Sequence, residues 1–172
     1  MLNKGDCVVY GSHGLCKVRD ILVPPFLERG KEKLYYLMVS VTDINGSLYV
    51  PVEGAEDKMR EVIGADDAEG LIEELDELEI VELPVGKKAE AVILELIKKN
   101  ATNEMMRLVK TLRRVKAVRE MEGKKFASMD EKYLGIAEKL LYNELAYSLD
   151  EEPTAVKERI LDELAQLPLE TA

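Results

Sequence analysis

Cys7, His13 and Cys16 share one short stretch, GDCVVYGSHGLCKV from Gly5 to Val18, and comprise both cysteines and the only histidine of the chain. Thiolate and imidazole are ligands that zinc favours, and a thiol beside an imidazole is a candidate nucleophile. The spacing supports neither chemistry. A structural zinc site takes four ligands, and three without a CxxC pair fall short of it. A Cys/His catalytic pair needs a third group to orient the ring, and no such partner is evident. As a hairpin turning at GSHG, the stretch sets Tyr10 opposite Leu15, Val9 opposite Cys16 and Cys7 opposite Val18. The two cysteines then sit diagonally, with Cβ atoms about 7 Å apart, whereas a disulfide needs about 4 Å. The plain reading is that Cys7 and Cys16 are small core residues and that His13 is a turn residue. A metal or thiol enzyme is the rival, and stoichiometric metal or a phenotype of Cys7→Ser would reveal it.

No GxxxxGK[ST] or GxGxxG phosphate loop occurs. Carboxylate pairs such as Glu73-Glu74 and Glu151-Glu152 lie in acidic helical stretches and read as solvated. The expectation is a non-enzymatic protein with no catalytic residue, cofactor, metal or small-molecule substrate. No apolar run approaches the ~20 residues of a membrane-spanning helix. The MLNKGD start lacks a signal peptide's apolar region, so a cytoplasmic protein is expected.

The elements that carry these residues change period once. Up to Pro51 the chain reads as short strands: Asp6–Tyr10, a turn at GSHG, Leu15–Val23, then a break at LVPPF where two prolines remove donors. KLYYLMVSV (33–41) is β-branched and aromatic on both faces, as a central strand would be. Asn45-Gly46 signals a turn, and SLYVP a short strand. Short, evenly spaced strands predict a small bent sheet or barrel. Beyond Pro51 the period is helical. AEDKMREVIG predicts one or two helical turns ended by Gly64, and DDAEGLIEELDELE aligns Leu71, Leu75 and Leu78. Later helices bury Ala89, Val92, Ile93, Leu96 and Ile97; Met105, Leu108, Val109, Leu112 and Val115; Leu134, Ala137, Leu141 and Leu145; and Val156, Ile160 and Leu164. Ser128 and Glu131 suggest a capping box, and Pro153 sits at a favoured first helical position. The fold class is therefore α+β, a β domain over residues 1–56 followed by an all-α helical bundle over 57–172.

The formal net charge of −10 argues against nucleic acid at first sight, but the charges come in blocks. Residues 57–82 hold two basic and eleven acidic side chains, residues 87–125 twelve and five, and residues 126–172 four and eleven. Such blocks are either faces for different partners or solvated surfaces that pair with one another.

The pattern Gly5, Asp6, Val8, Val9, Tyr10, His13, Gly14 resembles the start of the CarD/CdnL transcription regulators and of the polymerase-binding module of bacterial transcription-repair coupling factors. Tyr35-Tyr36, VPVEGAE (50–56) and the late helices, including Glu144-Leu145-Ala146 and Ile160-Leu161-Asp162-Glu163, extend the resemblance. It implies a Tudor-like or SH3-like β-barrel that binds the β subunit of RNA polymerase. It further implies a helical domain that meets promoter DNA at the edge of the transcription bubble and stabilises the open complex. The docking edge would be Leu48, Tyr49 and Val50, with Pro24 and Tyr49 where the family carries basic contacts. Phosphate contacts would come from Lys87 and Lys88 at a helix N-terminus, and from Arg107, Lys110 and Arg114 on the outward face of the next helix. The family's DNA wedge, a tryptophan, aligns with Gly86, and the chain has no tryptophan. Three further positions depart from the family: Gly11 for proline, Cys16 for glycine and Ala127 for a serine cap. Two alternatives stay open. Leu48 and Val50 are equally readable as barrel core, and the basic residues as ordinary solubility. A polymerase-bound protein adaptor without DNA contact is the competing function, its acidic helices from Asp57 to Glu82 taking a basic protein instead.

Overall fold

A computed structural model describes residues 1–42 and 46–169. The turn expected at Asn45-Gly46 lies partly outside the described residues. The chain divides into two units, Met1–Val62 and Ile63–Ala172.

The first unit is one antiparallel sheet of β1 (Cys7–Tyr10), β2 (Leu15–Leu22), β3 (Tyr35–Ser40), β4 (Ser47–Pro51) and β5 (Met59–Arg60), in the order β4-β3-β2-β1-β5. Its two ends do not pair among the described residues, so the sheet is open where the sequence predicted a barrel. A two-residue β5 explains this, because it covers only Val9 and Tyr10 of β1 and offers too little edge to close on β4. β5 also corrects the helical reading of AEDKMREVIG. Only Ala55–Lys58 forms a helical turn, of the 3-10 kind, and Met59–Arg60 are drawn into the ladder by β1.

The β1–β2 hairpin is one residue out of the expected register. Val9 faces Leu15, Val8 faces Cys16 and Cys7 faces Lys17, because Gly11–His13 coil into a 3-10 turn and Tyr10 N–H bonds to Gly14 O, closing the hairpin one residue earlier than GSHG would. A shift of one residue moves side chains to the other face. The cysteines therefore point to opposite sides of the pleat, which excludes a bridge more firmly than the diagonal spacing did, and both are free. β2 also carries a bulge. Val18 pairs with Met38 but Asp20 with Leu37, leaving Arg19 as the extra residue. Val8, Cys16, Val18, Tyr36, Met38 and Val50 form the core on one face.

Among the described residues the second unit is five helices around one apolar core: α1 (Ala65–Glu73), α2 (Lys87–Lys99), α3 (Thr102–Met121), α4 (Ser128–Leu149) and α5 (Pro153–Ala165). The stripes read from the 3.6-residue period supply that core, and α4 contributes more of it than any other helix. Ends follow local chemistry. Asn100 and Asp150 stop α2 and α4 in the left-handed region that Asn and Asp tolerate best after glycine. Gly123 closes α3, its N–H on Glu120 O and that of Lys124 on Arg119 O. The capping box at Ser128 does not form. Ala127 is the cap residue and Ser128 is already helical, so no side-chain oxygen meets the first N–H groups. Two carboxylates are drawn inside. Glu144 accepts from Ile63 N–H (3.0 Å) and Thr102 Oγ1 (3.1 Å), and Ser148 Oγ donates to Ile63 O (2.6 Å). Glu138 takes a two-pronged bond from Arg113 and the Tyr142 hydroxyl proton.

Candidate functional site

β4 ends the sheet order, so one row of its N–H and C=O groups faces away from β3. Such an edge can take a further strand by main-chain hydrogen bonding. Strand alternation sorts the predicted docking residues. Val50 is 2% exposed and lies in the core, Leu48 packs against that core, and Pro24 is buried in the loop after β2. Val50 and Pro24 are thus covered, while Leu48, which shares the inner face of the period-2 strand with Val50, stays partly exposed. Tyr49 points outward and is 39% exposed.

Tyr49 has a neighbour that sequence reasoning missed. Phe26, 61% exposed, stands edge-on to Tyr49 at 5.2 Å and to Tyr35 at 6.1 Å. Register places Tyr49 opposite Leu37 and Pro51 opposite Tyr35, so the outward face beside the edge is aromatic and apolar. The LVPPF break was the available signal, since a phenylalanine beside two prolines in a loop has few ways to be buried. The Lys33 ammonium rests 5.5 Å from the Tyr35 ring centre. Lys4 pairs with Asp20 at 2.9 Å, and this bond, with that from Ile21 N–H, holds the Asp20 carboxyl below the usual range.

The opening cluster is not brought together. His13 is exposed and stacks on Tyr10 at 5.3 Å, while Cys16 is buried on the core face. Burial first, and Cys7 second, push the Cys16 thiol up to about 11, the direction of an inert structural cysteine. Among the described residues no group of three or more His, Cys, Asp and Glu could hold a metal ion.

In the helical unit the basic residues part company. Lys87 and Lys88 open α2 and are exposed, beside N–H groups that favour anions. Arg107 and Lys110 do not face outward freely. Arg107 donates from Nε to Glu79 O (2.9 Å) and from a terminal nitrogen to Ile80 O (3.2 Å). The Lys110 ammonium donates to Leu75 O and Leu78 O, both at 2.5 Å, and reaches Asp76 O at 3.4 Å. Burial holds that ammonium below the usual lysine value; Asp76 opposes the shift and Arg114 adds to it. The α1–α2 connection thus covers the face that helical periodicity assigned to solvent, and Val81 N–H completes the attachment on Thr111 Oγ1 (2.8 Å). Arg114 is half-buried on the same helix. Gly86, at the wedge position, has φ of 77° with open space around it. It shapes the entry to α2 and has no side chain to insert between bases.

With this geometry in place, residues 2–63 match the family described as CarD-like/TRCF RID domain, a domain that interacts with RNA polymerase. The match spans the β unit and ends at the first residue of the helical one. No curated protein matches the chain. Among the described residues no helix is long and apolar enough to cross a membrane.

Proposed function

We propose that the protein is a non-enzymatic transcription regulator whose β unit binds the β subunit of RNA polymerase along the β4 edge and whose helical unit modulates initiation. The observation that carries this reading is the coincidence of the polymerase-interacting domain match with an edge strand that bears Tyr49 and is unpaired on one side among the described residues. In this arrangement main-chain bonds along β4 give affinity, and the aromatic corner of Tyr49, Phe26 and Tyr35 takes the place of the family's basic contacts. Promoter contact then rests on Lys87 and Lys88, at the entry to α2, and serves to hold the open complex.

A second reading has its own support. Because Arg107 and Lys110 are engaged with backbone carbonyls, the phosphate-binding face is smaller than the charge count suggests, and this favours a polymerase-bound adaptor without DNA contact. One pair of experiments tests both. The full chain should be retained by immobilised polymerase β subunit and Tyr49→Glu should not; equal retention of the variant refutes edge docking. Forked promoter DNA titrated over a salt series with polymerase present then separates the regulator, which binds at low salt, from the adaptor, which does not.

A further inference from the structure

The hydrogen-bond phase of β4 decides what kind of strand its edge can take. Val52 N–H donates to Leu34 O (3.1 Å), and residues two apart in an antiparallel ladder point their main-chain groups the same way. With Tyr36 opposite Val50 and Met38 opposite Leu48, the N–H and C=O groups of Leu48, Val50 and Val52 are therefore spent on β3. Those of Ser47, Tyr49 and Pro51 face the free side. Proline has no N–H, so along β4 the edge offers donors at Ser47 and Tyr49 only. Past Pro51 the chain leaves the sheet for the turn at Glu53-Gly54. A strand laid along this edge completes its ladder at Ser47 and Tyr49 and loses a bond at Pro51.

Directly paired residues share a face, with Cβ atoms about 5 Å apart. A partner residue across from Tyr49 thus lies beside the Tyr49 ring, which Phe26 meets edge-on at 5.2 Å and which has Leu37 as its neighbour on β3. Two charges bordering this patch are already engaged. Lys33 rests 5.5 Å from the centre of the Tyr35 ring, and Asp20, opposite Leu37 on β2, is paired with Lys4 at 2.9 Å. A charged partner residue would give up water here without gaining a counter-ion. We propose that the segment of the polymerase β subunit taken by this edge is a short strand, hydrogen-bonded at Ser47 and Tyr49 and stopped at Pro51, with an apolar side chain facing Tyr49. This rests on the β4 docking proposed above, to which it adds the register and the class of side chain.

The test is amide exchange on the full chain, free and bound to polymerase β subunit, read residue by residue by NMR after the complex is dissociated. Binding should slow exchange at Ser47 and Tyr49 by about tenfold or more. Leu48 and Val50 should be slow in both states, and Glu53, the next amide in the outward phase past Pro51, should gain no protection. Alongside, Tyr49→Arg and Tyr49→Glu should each weaken binding about tenfold or more, and Tyr49→Leu less than either. Affinity of wild type or better for the arginine variant would reveal a facing carboxylate, and for the glutamate variant a facing cation; either overturns the apolar assignment. Unchanged exchange at Tyr49 in a complex that does form, or protection gained at Glu53, overturns the register while β-subunit binding itself survives. No complex with the wild-type chain removes the docking and this inference together. The exchange measurement uses wild-type protein, so it decides the register even if a Tyr49 variant folds poorly.

Discussion

Replacing Lys110 by methionine keeps an unbranched stem of nearly the same length and removes the ammonium with its three donors. Two of its bonds are short, 2.5 Å to Leu75 O and 2.5 Å to Leu78 O, and Leu75 is fully buried. Hydrogen bonds from a charged group contribute about 1.5–3 kcal/mol each, and a carbonyl left without a donor away from water adds to the cost. Water can reach Asp76, so only the two short bonds count in full. Lys110→Met should therefore destabilise the helical unit by about 3 kcal/mol, a fall in melting temperature of about 10 °C for a unit of this size. Urea melts followed by circular dichroism measure it. The double variant Lys87→Gln/Lys88→Gln is the counterpart: both residues are exposed, so stability should stay within about 0.5 kcal/mol. If DNA is bound there, the salt slope should fall by about 1.8. A Lys110→Met protein as stable as wild type but with a shallower salt slope would refute the assignment. Lys110 would then be a phosphate contact, and its carbonyl bonds would count for nothing.

Three further outcomes are expected. With Ellman's reagent at pH 8, native protein should show one fast thiol, Cys7, while Cys16, pushed up to about 11, reacts only on unfolding; two fast thiols would contradict its burial. Arg159 donates to Glu69 and Glu151, and its bond to Glu69 holds that carboxyl below the usual range. The folded state therefore binds this proton less tightly than the unfolded chain, so the contribution is complete above the unfolded value of about 4.3 and fades as pH falls through the folded one. Arg159→Gln should cost about 1 kcal/mol at pH 7, the ceiling for an exposed pair, with the gap to wild type closing below about pH 4; a gap constant to pH 2 would refute the linkage. Glu138→Gln strands the Arg113 guanidinium and should cost about 3 kcal/mol in a thermal melt, whereas an unchanged melt would show that water replaces the carboxylate.

The helices were legible because their cores rest on local periodicity: Ile93, Leu108, Leu141 and Ile160 each fall on a stripe and each is buried. The missed strand and the misjudged cations depend on something outside the local segment. β5 is a strand only because β1 is beside it, and no two-residue pattern announces that. The β1–β2 register turned on how tightly Gly11–His13 coil, which residue types leave undecided. For the candidate site, alternation alone separates Tyr49 from Leu48 and Val50, which is the core reading that the sequence left open for those two. Arg107 and Lys110 were misjudged because a helical wheel shows an isolated helix. Their outward face is covered by a connecting segment whose Leu75, Leu78 and Ile80 were the hint that it packs rather than floats.

The extra residue in β2 has an effect on how the sheet can change length. With Arg19 removed, Val18 and Asp20 become consecutive and still meet Met38 and Leu37, so every later partner is kept. Cutting a residue from Cys16–Val18 instead would leave a strand whose two halves trade inside for outside. Loss at position 19 should thus yield a folded but flatter sheet, and loss a step or two earlier an unfolded one.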